Sequence, residues 1–141
     1  MEYRNYLNLR FLSKSENEGF ARLAIASFCS LKNVDVDEIA DIKTAVSEAV
    51  TNCVVHAYPD KIGEIEIECE IIDNDIRISI IDHGVGIKNI ELAKKPFYTS
   101  KPNEDRSGMG FTVMEGFMDK LDIESILGQG TKVSMYKKLA C

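Results

Sequence analysis

The stretch IDHGVGI, residues 81–87, decides how this chain is read. It ends an apolar strand, Ile76 to Ile81, in an acid followed by Gly84 and Gly86. A carboxylate therefore sits where the backbone turns sharply with no side chains in the way, which predicts the floor of a pocket. Downstream, FYTSKPNEDRSG (97–108) is a polar loop carrying Lys101 and Arg106, and MGFTVM (109–114) opens a helix beside Gly108 and Gly110. Free backbone N–H groups and the positive end of the dipole at such a helix start favour a phosphate. An acid for a ring amine, a glycine-lined helix start and a cationic loop together predict a nucleotide site closed by a lid.

Length and composition narrow the rest. A chain of 141 residues with 45% hydrophobic residues is expected to be one domain, 1–141, with a substantial core. A net charge of -6 argues against a general nucleic-acid binder, which needs a basic face. The N-terminus, MEYRNYLNLRF, has no basic stretch ahead of a long apolar run, and no segment is long enough to span a membrane, so a cytoplasmic protein is expected. Cys29, Cys53, Cys69 and Cys141 have no CxxC spacing and read as reduced thiols.

Around the central stretch the hydrophobic pattern gives the elements. Leu7, Leu9 and Phe11 alternate with Asn8 and Arg10 as a strand, and Ser13 with Glu16 reads as a capping box for the helix that follows. In that helix Phe20, Leu23, Ala24, Phe28 and Leu31 are expected to face the core, leaving Ile25, Cys29 and Arg22 on the far side. That half-apolar far side is either scattered surface hydrophobes or a protein-binding face. Asp35 and Glu38 cap a longer helix whose Ile39, Ile42, Val46, Ala49, Val50, Cys53 and Ala57 form one stripe. Glu48, Asn52 and His56 recur every four residues away from the stripe, in one row. Two strands follow, Glu64 to Ile72 and Ile76 to Ile81, around the Asp73-Asn74-Asp75 turn. A short helix spans Asn89 to Lys95 and another runs from about Met109 to Lys120, burying Phe111, Met114 and Phe117 or Met118. Strands Leu121 to Ile126 and Lys132 to Tyr136 close the chain. The strands alternate, so the fold class is α/β: a two-layer sandwich with a mostly antiparallel or mixed sheet and helices on one face.

EAVTNCVVHAY (48–58), DHGVG (82–86) and RSGMGFTVM (106–114) resemble the three nucleotide-binding boxes of the GHKL ATPase and kinase superfamily, in order. FARLAIASF (20–28), IKTAVSEAVTN (42–52) and FYTSKPNEDRSGMGFTVMEGFMD (97–119) are similar to the small anti-sigma serine kinases of that superfamily, over nearly the whole chain. The resemblance implies a GHKL-type fold binding ATP or ADP with Mg²⁺. Asn52 would ligand the metal and Glu48 would accept or orient the proton of a substrate serine. Asp82 would bind the adenine amine, with Gly84 and Gly86 letting the ring approach the backbone. Lys101 and Arg106 would offset phosphate charge, and the N–H groups around Gly108, Met109 and Gly110 would cradle the oxygens. Thr51, Thr99, Ser100 and Ser107 would add lesser contacts, and Thr112 belongs to the same nucleotide-binding box. Neither His56 nor His83 is expected to act as the base.

The resemblance also implies a homodimer that sequesters an RNA polymerase sigma factor of sporulation and phosphorylates an anti-anti-sigma protein on serine, with Arg22 contacting a partner. No direct nucleic acid or membrane contact is implied. Two alternatives share every one of these residues: a kinase serving a stress sigma factor, and a nucleotide-gated sigma-binding module with no useful transferase activity. Each residue alone has a plainer reading, as turn acid, loop charge or simple connection. Their conjunction is what favours a site.

Overall fold

A computed structural model of the chain describes residues 2–95 and 110–139. The element order is β1 (Arg4–Leu12), α1 (Glu16–Ser30), α2 (Val36–Asn52), a π-helical turn (Cys53–Ala57), β2 (Glu64–Ile72), β3 (Asp75–Asp82), α3 (Ile90–Ala93), α4 (Gly110–Phe117), β4 (Lys120–Ile126) and β5 (Gly130–Lys138). The strands form one sheet in the order β1-β2-β3-β5-β4, with every neighbouring pair antiparallel. This is the expected two-layer arrangement. Ile65, Ile67, Cys69 and Ile71 of β2 and Ile76, Ile78 and Ile80 of β3 are buried, while the glutamates between the β2 residues are more open. A period-two pattern with one apolar face buries that face and wets the other.

The turns follow local chemistry. Asp73, at φ 52°, and Asn74 join β2 to β3, since short polar side chains tolerate the left-handed region. Asp35 caps α2 by accepting the Asp37 N–H at 3.3 Å. The helical run ends at Tyr58 (φ -123°, ψ 64°), because Pro59 disfavours helical geometry in the residue before it.

Two expectations about the first helix fail. Its buried residues are Ala21, Ile25, Ala26 and Cys29, while Phe20, Leu23 and Leu31 are 59%, 56% and 66% exposed. The helix is turned by about half a revolution from the expected orientation. Small residues at the contact let α1 lie close against α2, and that outweighs burial of the larger side chains. The capping box also does not form: the N-cap is Ser15, with no side-chain cap. Ser13 is buried and joins β1 to the start of β2, its N–H donating to the Gly63 carbonyl at 2.8 Å and its Oγ accepting the Gly63 N–H at 2.9 Å. The α2 stripe is buried at Ile42, Val46, Ala49, Val50, Cys53 and Ala57, with Ile39 partly buried against it. In α4 the open choice falls to Met118, 4% exposed, against 40% for Phe117.

Candidate functional site

A cavity of about 370 Å³ lies where the end of α2, the π turn, the end of β3 and the start of α4 meet. That volume falls within the roughly 300–1,000 Å³ of small-molecule and cofactor sites. Asn52, Asp82, Gly86 and Gly110 all line it, with Cys53, His56, Lys88, Leu127 and Thr131. Residues far apart in sequence thus converge, including Asn52, Asp82 and Gly110 from the three sequence boxes.

Asp82 ends β3 and is 6% exposed. Its Oδ1 accepts the N–H groups of Gly84 at 3.0 Å and Thr131 at 3.2 Å, and its Oδ2 faces the Cys53 thiol at 3.6 Å. Burial raises the Asp82 carboxyl above its usual range, and these donors pull it partly back. Burial, then the Asp82 charge, pushes the Cys53 thiol well up, so Cys53 stays a neutral donor. One carboxylate oxygen is therefore spent on the backbone. The other meets only a weak thiol donor and is the one able to accept from a ligand. His83 is exposed, as strand alternation requires.

The loop after Asp82 is gripped from both sides. The Val85 N–H donates to the Ala57 carbonyl at 2.9 Å, and the Val85 carbonyl accepts the Gly128 N–H at 2.7 Å. A Cβ on Gly84 would lie 2.0 Å from the Ala57 oxygen, and one on Gly86, at φ 78°, would lie 2.5 Å from the Ile126 oxygen. The glycines are thus required by backbone packing against the helix end and the β4–β5 hairpin. Tyr58 adds a further tie. Its hydroxyl donates to the Glu64 carbonyl at 2.6 Å and accepts the His83 N–H at 2.7 Å.

Asn52 lies against the start of α4, where a Cβ on Gly110 would meet its Oδ1 at 3.1 Å. A carboxamide oxygen beside a glycine-opened helix N-terminus suits a magnesium phosphate, since Mg²⁺ keeps waters and takes few protein ligands. Among the described residues there is no group of three or more His, Cys, Asp or Glu that could hold a metal ion. Glu48, one turn before Asn52 on α2, is half-buried and does not line the cavity. Thr112 is half-buried and Thr51 exposed, and neither lines it. Thr99, Ser100, Lys101, Arg106, Ser107, Gly108 and Met109 lie outside the described residues. Arg22 is on α1, where its guanidinium reaches Glu18 at 3.5 Å and Ser47 at 3.4 Å, so it sits toward α2 and not on an open far side.

Sequence reasoning missed Thr131, Ser125 and Cys53 as parts of this site. Thr131 pairs with Asp82 across β3 and β5, and Ser125 pairs with Thr131 across β4 and β5. Strand alternation alone gives no register between distant strands.

Strands on one layer, helices on the other and a cavity at the helix-to-strand junction define the class. A family model described as "Histidine kinase-like ATPase domain" matches residues 11–137, and the chain belongs to that family. Within it the chain is similar to proteins named anti-sigma F factor. That of Caldanaerobacter subterraneus subsp. tengcongensis is 56% identical over 137 residues, covering 97% of this chain and 96% of the relative. That of Clostridium acetobutylicum is 53% identical over 136 residues, covering 96% and 95%. The crystal structure of the RsbU and RsbW domains of a Mycobacterium tuberculosis protein aligns with a TM-score of 0.68 at 21% identity, covering 96% of this chain and 32% of that one. The catalytic domain of the histidine kinase ThkA aligns at 0.60 and 19% identity, covering 94% and 95%. At those identities the two structures speak for the fold alone.

Proposed function

We propose that this protein is an anti-sigma factor of sporulation that uses ATP to phosphorylate an anti-anti-sigma protein on serine. The carrying observation is that Asn52, Asp82 and Gly110 line one cavity. The full-length similarity to anti-sigma F factors supports the sporulation sigma factor over a stress sigma factor. In this reading Asp82 Oδ2 accepts from the adenine amine, Asn52 Oδ1 ligands Mg²⁺, and the helix start at Gly110, with Gly108 and Met109, holds phosphate oxygens. Bound Mg²⁺ would supply neutralisation of charge developing on the phosphoryl oxygens. Lys101 and Arg106 add positive charge, and Glu48 orients or accepts the serine proton. The exposed Phe20, Leu23 and Leu31 of α1 offer a partner-facing surface, and Arg22, on the side of α1 toward α2, contacts a partner separately from it. The chain works as one domain, as a homodimer, in the cytoplasm; no helix among the described residues is long and apolar enough to cross a membrane.

A second reading has one observation in its favour. Glu48 is not among the lining residues of the cavity, and in this reading the site binds nucleotide and gates partner binding without transferring phosphate. Labelled ATP, the protein and a candidate anti-anti-sigma partner distinguish the two. The kinase reading expects labelled phosphoserine on the partner and its loss in Glu48→Ala, with ATP affinity retained. Nucleotide-dependent complexes with no transferred label would establish the gated module instead.

A further inference from the structure

We propose that Lys88 is a further binding residue of the cavity, its ammonium pairing with the negative charge of the ligand's phosphates. The inference rests on the nucleotide reading above and adds to it a residue outside the three sequence boxes. Lys88 lines the cavity, as do its neighbours Ile87 and Asn89. Both neighbours are tied down. The Ile87 N–H donates to Ser125 Oγ on β4 at 2.7 Å, and Asn89 Oδ1 accepts the Leu92 N–H at 3.0 Å as the N-cap of α3. The lysine backbone is thus held on the cavity wall between a strand and a helix start, while the flexible four-carbon stem lets the ammonium reach its target.

The balance of charge gives that placement a purpose. Among the described lining residues Lys88 is the one lysine or arginine and Asp82 the one carboxylate. Asp82 repels an anion, and so does a chain with a net charge of -6. Lys88 is exposed at the rim and takes no part in the ion pairs among the described residues, whereas Lys94, farther along the same wall, faces Glu115 at 3.6 Å. A sphere with the cavity's volume of about 370 Å³ is about 9 Å across, close to one screening length at 0.1 M salt. A phosphate inside therefore feels a cation on the wall. An ammonium serves it as a point charge and needs no fixed fork geometry.

The test is calorimetric titration of ADP, at fixed magnesium, into wild type and Lys88→Gln at about 0.02 M and about 1 M salt, where screening lengths are roughly 20 and 3 Å. At low salt Lys88→Gln is expected to bind ADP about three- to tenfold more weakly, and at high salt the two should agree within about 1.5-fold. Lys88→Arg keeps the charge and is expected to bind like wild type. Lys61→Gln removes the same charge at an exposed position that does not line the cavity, and its ADP affinity should stay near wild type. Equal affinities of wild type and Lys88→Gln at low salt would overturn the proposal. So would a gap that survives at high salt, which would come from packing of the stem, or an equal loss in Lys61→Gln, which would trace to net charge alone. Failure of wild type to bind ADP at either salt would overturn the underlying nucleotide reading, a result seen without any variant.

Discussion

Replacing Asp82 by Asn separates what the carboxylate does for a ligand from what it costs the fold. The two backbone N–H groups on Oδ1, from Gly84 and Thr131, will select the amide oxygen of the variant and so turn Nδ2 toward Cys53 and the cavity. An acceptor becomes a donor facing the adenine amine. Loss of a hydrogen bond to a charged group is worth about 1.5–3 kcal/mol, or a roughly ten- to 150-fold weaker ATP affinity. Stability should move the other way. Burial raises the Asp82 carboxyl in the folded state, so its favourable contribution is complete below the unfolded pKa, about 3.9, and is lost as pH rises through the raised folded value. Keeping this buried carboxyl therefore costs the ligand-free wild type stability at neutral pH relative to low pH. Ligand-free Asp82→Asn should match or exceed wild type in urea unfolding at neutral pH, and its advantage should shrink on acidification toward pH about 4. Undiminished ATP affinity by calorimetry, or an advantage that grows as the solution is acidified, would refute this account of the pocket floor.

Two other substitutions test the packing. In Gly84→Ala the new methyl would lie 2.0 Å from the Ala57 oxygen and break the bond from the Val85 N–H, costing about 2–5 kcal/mol through overpacking and a lost buried hydrogen bond. Thermal unfolding should shift down by about 5–15 °C, and a shift under about 2 °C would contradict the contact. On α1, Ile25→Ala, at a fully buried position, should cost about 2–4 kcal/mol, whereas Leu23→Ala, 56% exposed, should stay within about 0.5 kcal/mol. Chemical denaturation that ranks them in the reverse order would mean that the helix presents its other side to α2.

What could be read from the sequence was whatever depends on near neighbours. The alternation in EIEIECEII gave β2 and its buried side, and the spacing of Ile42, Val46, Ala49 and Val50 gave the core face of α2. The placement of Asp82 at a strand end followed from local pattern in the same way. Where several surfaces competed, local pattern misled. Phe20 and Leu23 outweigh Ala21 and Cys29 in any count of hydrophobicity, but close packing of two helices rewards small residues. Ser13 had the right spacing for a cap and was drawn instead into a pair of bonds with Gly63, fifty positions away. The roles of Ser125, Thr131 and Cys53 depend on register and on a widened helical turn, and neither leaves a periodic trace.

Val85 joins Ala57 on one side and Gly128 on the other, so the wall of the cavity is assembled from the middle of the chain and from its last hairpin. During synthesis that wall does not exist until β4 and β5 have emerged and taken their places. Any small molecule seated against it would act as a fastener across the completed sheet, raising the unfolding temperature with its concentration. Competence to hold such a molecule would thus report that the final strands have been added.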